Sequence, residues 1–154
     1  MDAFLQNCLN GISIGSIYAL IAIGYTMVYG ILRLINFAHG DIFMMAGYFM
    51  IICMTDLLIP WYISVFIVII ATIILGVLIE KIAYKPLRDA PRMSIMISAI
   101  GVSYLLQNLA TYIFSAQPKS YPYDKMGFLS NKVTLGNIST TLVTFITPVL
   151  TILL

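Results

Sequence analysis

The sequence predicts an all-α, polytopic transmembrane protein, and three observations carry that reading. Hydrophobic residues make up 61% of the 154 and charged residues only 9%, against roughly 45–50% apolar and about 25% charged in soluble domains; the mean hydropathy is +1.01. The charges are also gathered rather than spread: Ala3 to Leu32 holds none, and neither does Ile42 to Thr55. Finally, charges and prolines divide the chain into about five apolar segments, several near the ~20 residues that cross a bilayer core of about 30 Å at 1.5 Å per residue.

The first segment runs from about Phe4 to Tyr29. The chain begins Met1-Asp2-Ala3 and its first Lys or Arg is Arg33, so it lacks the basic n-region of a cleavable signal, and the segment is expected to stay in the membrane. Gly11, Gly15 and Ala19 recur every four residues as a small-residue strip, which lets a neighbouring helix approach closely or leaves room for a solute path. Gly24 and Gly30 loosen the inner end, each by about 1 kcal/mol relative to alanine, so a bend is expected there. The second segment, Ile42 to Leu58, is short and ends at Ile59-Pro60, where proline discourages helix; it reads as a short or tilted helix, or as re-entrant. The third is Trp61 to Ile79, the fourth Met93 to Phe114, and the fifth about Gly136 to Leu154.

Cytoplasmic loops are enriched in Lys and Arg. The loop from Glu80 to Arg92 carries Lys81, Lys85, Arg88 and Arg92, the densest basic cluster, and is assigned to the cytoplasm. Counting back places Asp56 to Pro60 outside, the turn from Arg33 to Asp41 inside and the N-terminus outside. The loop from Gln117 to Lys132, with three lysines, then falls outside, against the rule. Trp61, Tyr62, Tyr121 and Tyr123 sit at the outer edges, as aromatics at headgroup depth do.

Chemistry-bearing residues are few. Arg33, Asn36, His39 and Asp41 crowd one connection, either an ordinary turn with Asp41 favoured by the helix dipole or a gate or partner contact. Gln107 and Asn108 lie near the middle of the fourth segment, as interhelical hydrogen-bonding groups or as a lining that replaces water around a zwitterionic solute. No second histidine, nucleophile elbow or second acid accompanies them, so neither a hydrolase nor a proton relay is indicated. Metal ligands are lacking, no cofactor is implied, and Cys8 and Cys53 read as free thiols in apolar segments. A net charge of +2, without a basic and aromatic stripe, does not point to nucleic acid.

Gly15-Ser16-Ile17-Tyr18-Ala19-Leu20-Ile21-Ala22-Ile23-Gly24-Tyr25-Thr26-Met27-Val28-Tyr29-Gly30, followed by Ile35-Asn36-Phe37-Ala38-His39-Gly40-Asp41, resembles the N-terminal half of branched-chain amino acid ABC transporter permeases. Ile79 to Arg88 and Ser98 to Asn108 resemble that family's loop and following helix, so the likeness covers about Gly11 to Ala110. It implies a multi-pass permease subunit of the inner (plasma) membrane, not itself an enzyme, that pairs in the lipid bilayer with a second, homologous permease subunit. Two cytoplasmic ATPase subunits would drive it, and a periplasmic or extracellular amino-acid-binding protein would deliver leucine, isoleucine or valine. Permeases for urea and short amides share the pattern, but a Met is expected there in place of Phe37.

The family's permeases are longer than this chain, and their ATPase-coupling segment follows the helix matching Gly136 to Leu154. The chain is therefore expected to be the N-terminal part of one permease transmembrane domain (residues 1–154), a fragment or truncated product not competent alone. The rival reading is a structural or assembly subunit whose polar residues only hold a partner.

Overall fold

A computed structural model describes residues 2–33, 35–122, 125, 127, 132–135 and 138–153. It has five α-helices among the described residues, α1 (Asp2–Leu32), α2 (His39–Thr55), α3 (Trp61–Ile79), α4 (Arg92–Phe114) and α5 (Leu142–Leu153), and one antiparallel pair, β1 (Lys132–Leu135) and β2 (Ile138–Thr141). The stretches Phe4–Gly30, Trp61–Leu87 and Arg92–Phe114 are long and apolar enough to cross a membrane, while α2 and α5 are shorter apolar helices. The helical, polytopic class stands. Gly136, Asn137 and Leu154 of the expected fifth segment, and Tyr123 of the aromatic edge, lie outside the described residues.

The chain forms two compact units, Met1–Met27 with Tyr123–Leu154, and Val28–Pro122. In the first, α1 leaves large apolar side chains exposed along its length, among them Phe4, Ile12, Tyr18 and Met27, as suits a helix surrounded by lipid or by other helices. The Thr151 hydroxyl of α5 donates to the Ser16 carbonyl of α1 at 3.2 Å. The fifth helix begins at Leu142 rather than near Gly136, because Ser139-Thr140-Thr141 enters β2: β-branched residues favour the extended backbone, and β1 pairs with it in the register Lys132↔Thr141 to Leu135↔Ile138. The Gly11, Gly15 and Ala19 strip receives no close neighbour at its glycines, since a Cβ at Gly11 or Gly15 would meet nothing within 4 Å among the described residues. α1 also continues as helix through Gly24 and Gly30.

In the second unit α2 packs against both α3 and α4. Their shared core holds Met45 of α2, Leu106, Ala110 and Phe114 of α4 and Ile79 of α3, with Ala38 beneath. Tyr48 and Phe114 stack face to face, ring centroids 4.5 Å apart and planes 8° from parallel. α1 ends where Arg33 takes the left-handed backbone (φ 51°) and its N–H bonds the Tyr29 carbonyl. Leu58 does the same after α2 (φ 54°), and the Ile59 N–H reaches back to Cys53. Pro60 then starts α3 with its fixed φ, and the fully buried Ser64 donates to the Pro60 and Ile59 carbonyls at 3.1 and 3.3 Å. Beyond α3 the expected loop begins as helix: Glu80–Tyr84 is a π-helical turn and Lys85–Leu87 a 3₁₀ turn. Such a turn inserts a residue into the helical register and redirects the side chains after it, which is how Tyr84 comes to face the start of α2.

Candidate functional site

The site is built around the N-terminus of α2. Ala38 in the N-cap position has no side-chain acceptor to offer, so the backbone there is organised from Asn36. Its Oδ1 accepts the Ala38 N–H at 3.1 Å, its carbonyl accepts the His39 N–H at 3.2 Å, and the Ala38 carbonyl accepts from Ile42 to open the helix. This is an Asx turn, a local side-chain substitute for a backbone turn. A second donor locks it from afar: the Tyr84 hydroxyl bonds Asn36 Oδ1 at 2.7 Å across 48 residues of sequence. The connection before α2 and the turn after α3 therefore lie at the same end of this unit.

One turn further along, Asp41 is buried at 9% exposure. Its Oδ2 accepts the Ser103 hydroxyl at 2.5 Å and its Oδ1 accepts Gln107 Nε2 at 3.0 Å. Gln107 Nε2 also donates to Ser103 Oγ at 3.2 Å, which closes a triangle of three side chains. Ser103 and Gln107 stand four residues apart and so share one face of α4, and the carboxylate fits between them. Position favours it twice, because the first turn of a helix stabilises negative charge and both oxygens are hydrogen-bonded. The amide's two N–H donors are both used within the triangle, leaving its carbonyl oxygen as the group available to another donor.

Of the residues that the sequence singles out, Asn36, Asp41 and Gln107 take part in these ties. His39 is the first residue of α2 and half-buried. Asn108 stays apart: it is exposed, and its amide donates to the Tyr104 carbonyl of its own helix at 2.7 Å, as a rotation of about 100° per residue from Gln107 dictates. Tyr84 and the pairing role of Ser103 were not found by sequence reasoning. Tyr84 sits in a basic stretch without local signal, and only the fold brings it to Asn36. Cys8 and Cys53 are free thiols, exposed and buried respectively. Among the described residues no three His, Cys, Asp or Glu side chains gather as metal ligands. One carboxylate, one hydroxyl and one amide thus form a breakable tie between α2 and α4.

Residues 7–154 match the family model described as branched-chain amino acid transport system, permease component. The chain is 44% identical over 127 residues to the high-affinity branched-chain amino acid transport system permease protein BraD of Pseudomonas aeruginosa, covering 77% of this chain and 41% of that one. It is 45% identical to the permease protein LivH of Salmonella typhimurium and 44% identical to LivH of Escherichia coli K12, with the same shares of each chain covered. The chain thus spans about two fifths of the length of the curated relatives that it matches. No solved structure matches.

Proposed function

The chain belongs to the family of permease components of branched-chain amino acid transport systems, and from that premise we propose that it forms the front part of a permease subunit of an ABC importer for leucine, isoleucine and valine. On this reading it pairs with a second permease subunit in the inner (plasma) membrane, is driven by two cytoplasmic ATPase subunits, and receives its solute from a binding protein on the outer side. The observation that carries a transport role is the Asp41, Ser103 and Gln107 triangle. Ionisable side chains within the helices of an apolar bundle are rare and mark solute or ion pathways.

In the proposed mechanism the triangle is the closed position of a tie between α2 and α4. Separation of the helices breaks the Ser103 and Gln107 bonds, and water or the ammonium group of a zwitterionic solute replaces them at Asp41 and at the Gln107 carbonyl. Asn36 and His39, at the mouth of α2, gate the inner end or pack around it. The basic stretch Lys81 to Arg92 assigns that end to the cytoplasm. Its proximity to the Asn36 turn, through Tyr84, supports the assignment, since both connections must then lie on one side. The open face at Gly11 and Gly15 is a surface on which a helix of the second permease can pack closely.

Uptake of labelled leucine by cells carrying the full transporter tests this reading. Asp41→Asn and Gln107→Leu, at normal membrane abundance, should lower leucine uptake and alter the ratio of leucine to valine uptake. An assembly subunit would lose uptake of all solutes in proportion, and that result would overturn the pathway assignment.

A further inference from the structure

Where the end of α1, the turn before α2, the π-helical and 3₁₀ turns and the start of α4 converge, the second unit has an open cavity of about 440 Å³. Four cationic side chains reach it, Arg33, Lys85, Arg88 and Arg92, against the single carboxylate of Glu80. All five charged residues are exposed. Its neutral polar groups are Asn36 and Tyr84, joined by the 2.7 Å bond from the Tyr84 hydroxyl to Asn36 Oδ1, which engages the amide oxygen and not the Nδ2 donors. What the cavity offers a ligand is chiefly positive charge. Ile95 and Ala99 of α4, on the same helical face as Arg92, add an apolar part to the wall and are buried at 8% and 1% exposure. Outside it, Ile82 and Met93 stand 73% and 68% exposed near the ends of the stretches that are long and apolar enough to span a membrane.

We propose that this cavity binds the phosphate group of an anionic glycerophospholipid from the leaflet facing the basic turn. The guanidinium forks of Arg88 and Arg92 match phosphate oxygens in pairs, and basic pockets between helices on the cytoplasmic side suit such headgroups. The lipid's apolar part follows Ile95 and then the exposed Ile82 and Met93. The site lies on two connections at once, α1 to α2 and α3 to α4, so occupancy fixes the end of α1, the Asn36 turn and the start of α4 relative to one another. The inference needs the chain to be in a membrane but does not depend on which solute is carried, and its readout is lipid binding rather than uptake.

The test uses the purified, delipidated transporter in neutral detergent, titrated with dihexanoyl-phosphatidylglycerol, dihexanoyl-phosphatidylcholine or inorganic phosphate, with bound molecules counted by native mass spectrometry. At about fivefold in affinity per basic residue near an anionic headgroup, the Arg88→Gln, Arg92→Gln double variant should bind phosphatidylglycerol about 25-fold more weakly. Glu80→Gln should bind it several-fold more tightly, a gain that misfolding cannot imitate. Lys81→Gln, outside the cavity, should leave it unchanged, and the double Arg→Lys variant should keep most of the affinity. Phosphatidylglycerol binding well above phosphatidylcholine and inorganic phosphate supports the lipid as source; inorganic phosphate binding as tightly supports the phosphate site and makes its source free phosphate. Equal binding of the two lipids, or an unchanged affinity in the double Arg→Gln variant, overturns the proposal.

Discussion

The Asp41 triangle makes a quantitative prediction about the coupling between α2 and α4. Two bonds from α4 end on the carboxylate, at 2.5 and 3.0 Å, and a third at 3.2 Å joins their donors. Interhelical hydrogen bonds in membranes average about 0.6 kcal/mol and reach about 1.7. Asp41→Ala removes two of the three bonds but leaves Ser103 and Gln107 to satisfy each other, so a loss of about 1–3 kcal/mol is expected. Gln107→Ala leaves Asp41 with Ser103, and a loss of about 1 kcal/mol follows. The double variant should lose less than the sum of the two, by a coupling of about 0.6–1.7 kcal/mol. Steric-trap unfolding in bicelles gives the four free energies of the cycle. Asn108→Ala serves as the control, because the Asn108 amide bonds the Tyr104 carbonyl of its own helix and should add to Asp41→Ala without coupling. Additivity of Asp41→Ala and Gln107→Ala within about 0.3–0.5 kcal/mol, the range of independent sites, would refute the assignment of a working tie.

Three further outcomes follow from the packing and the turns. Tyr84→Phe removes the 2.7 Å bond to Asn36 while sparing the Asx turn; a loss of about 0.5–1.5 kcal/mol is expected, with faster amide exchange at Ala38 and His39, and unchanged exchange there would exclude the lock. Phe114→Ala empties a buried site stacked on Tyr48 and should destabilise by about 3 kcal/mol or more, whereas Phe114→Leu should lose less; equal losses in the same unfolding assay would mean that the ring does not fill the core. His39→Cys in the assembled transporter should react with an impermeant thiol reagent from the cytoplasmic side, and labelling only from outside would reverse the orientation.

Most of the helical order was legible because charge and proline mark helix ends in an apolar chain. Pro60-Trp61 and Ile79-Glu80 bracket α3 as the sequence predicts, and Pro91-Arg92 opens α4 within a residue of the expected start. The hairpin was missed for a physical reason. Lys132-Val-Thr-Leu135 and Ile138-Ser-Thr-Thr141 flank Gly136-Asn137, a turn signature between β-favouring runs, but in so oily a sequence the second run merges with the apolar segment after it. Half of the site was legible too. Asn36, Asp41 and Gln107 stand out as polar residues where polarity is costly, but their partners depend on pairings across 48, 62 and 66 residues, which no local period encodes. Tyr84 is harder still, because its direction is set by a π-helical turn that residue type does not announce.

The separation of 66 residues between Asp41 and Gln107 also imposes an order in time. At a ribosomal rate of about 5–20 residues per second, α2 leaves the ribosome roughly 3–13 s before the glutamine that will bond its acid. α2 and α3 are consecutive and can close as a hairpin as soon as both have emerged, but Asp41 must pass that interval with its oxygens solvated elsewhere. In the nascent chain Asp41 thus precedes both of its α4 partners, and slower translation between Thr55 and Ser103 lengthens the interval before Ser103 and Gln107 can bond it.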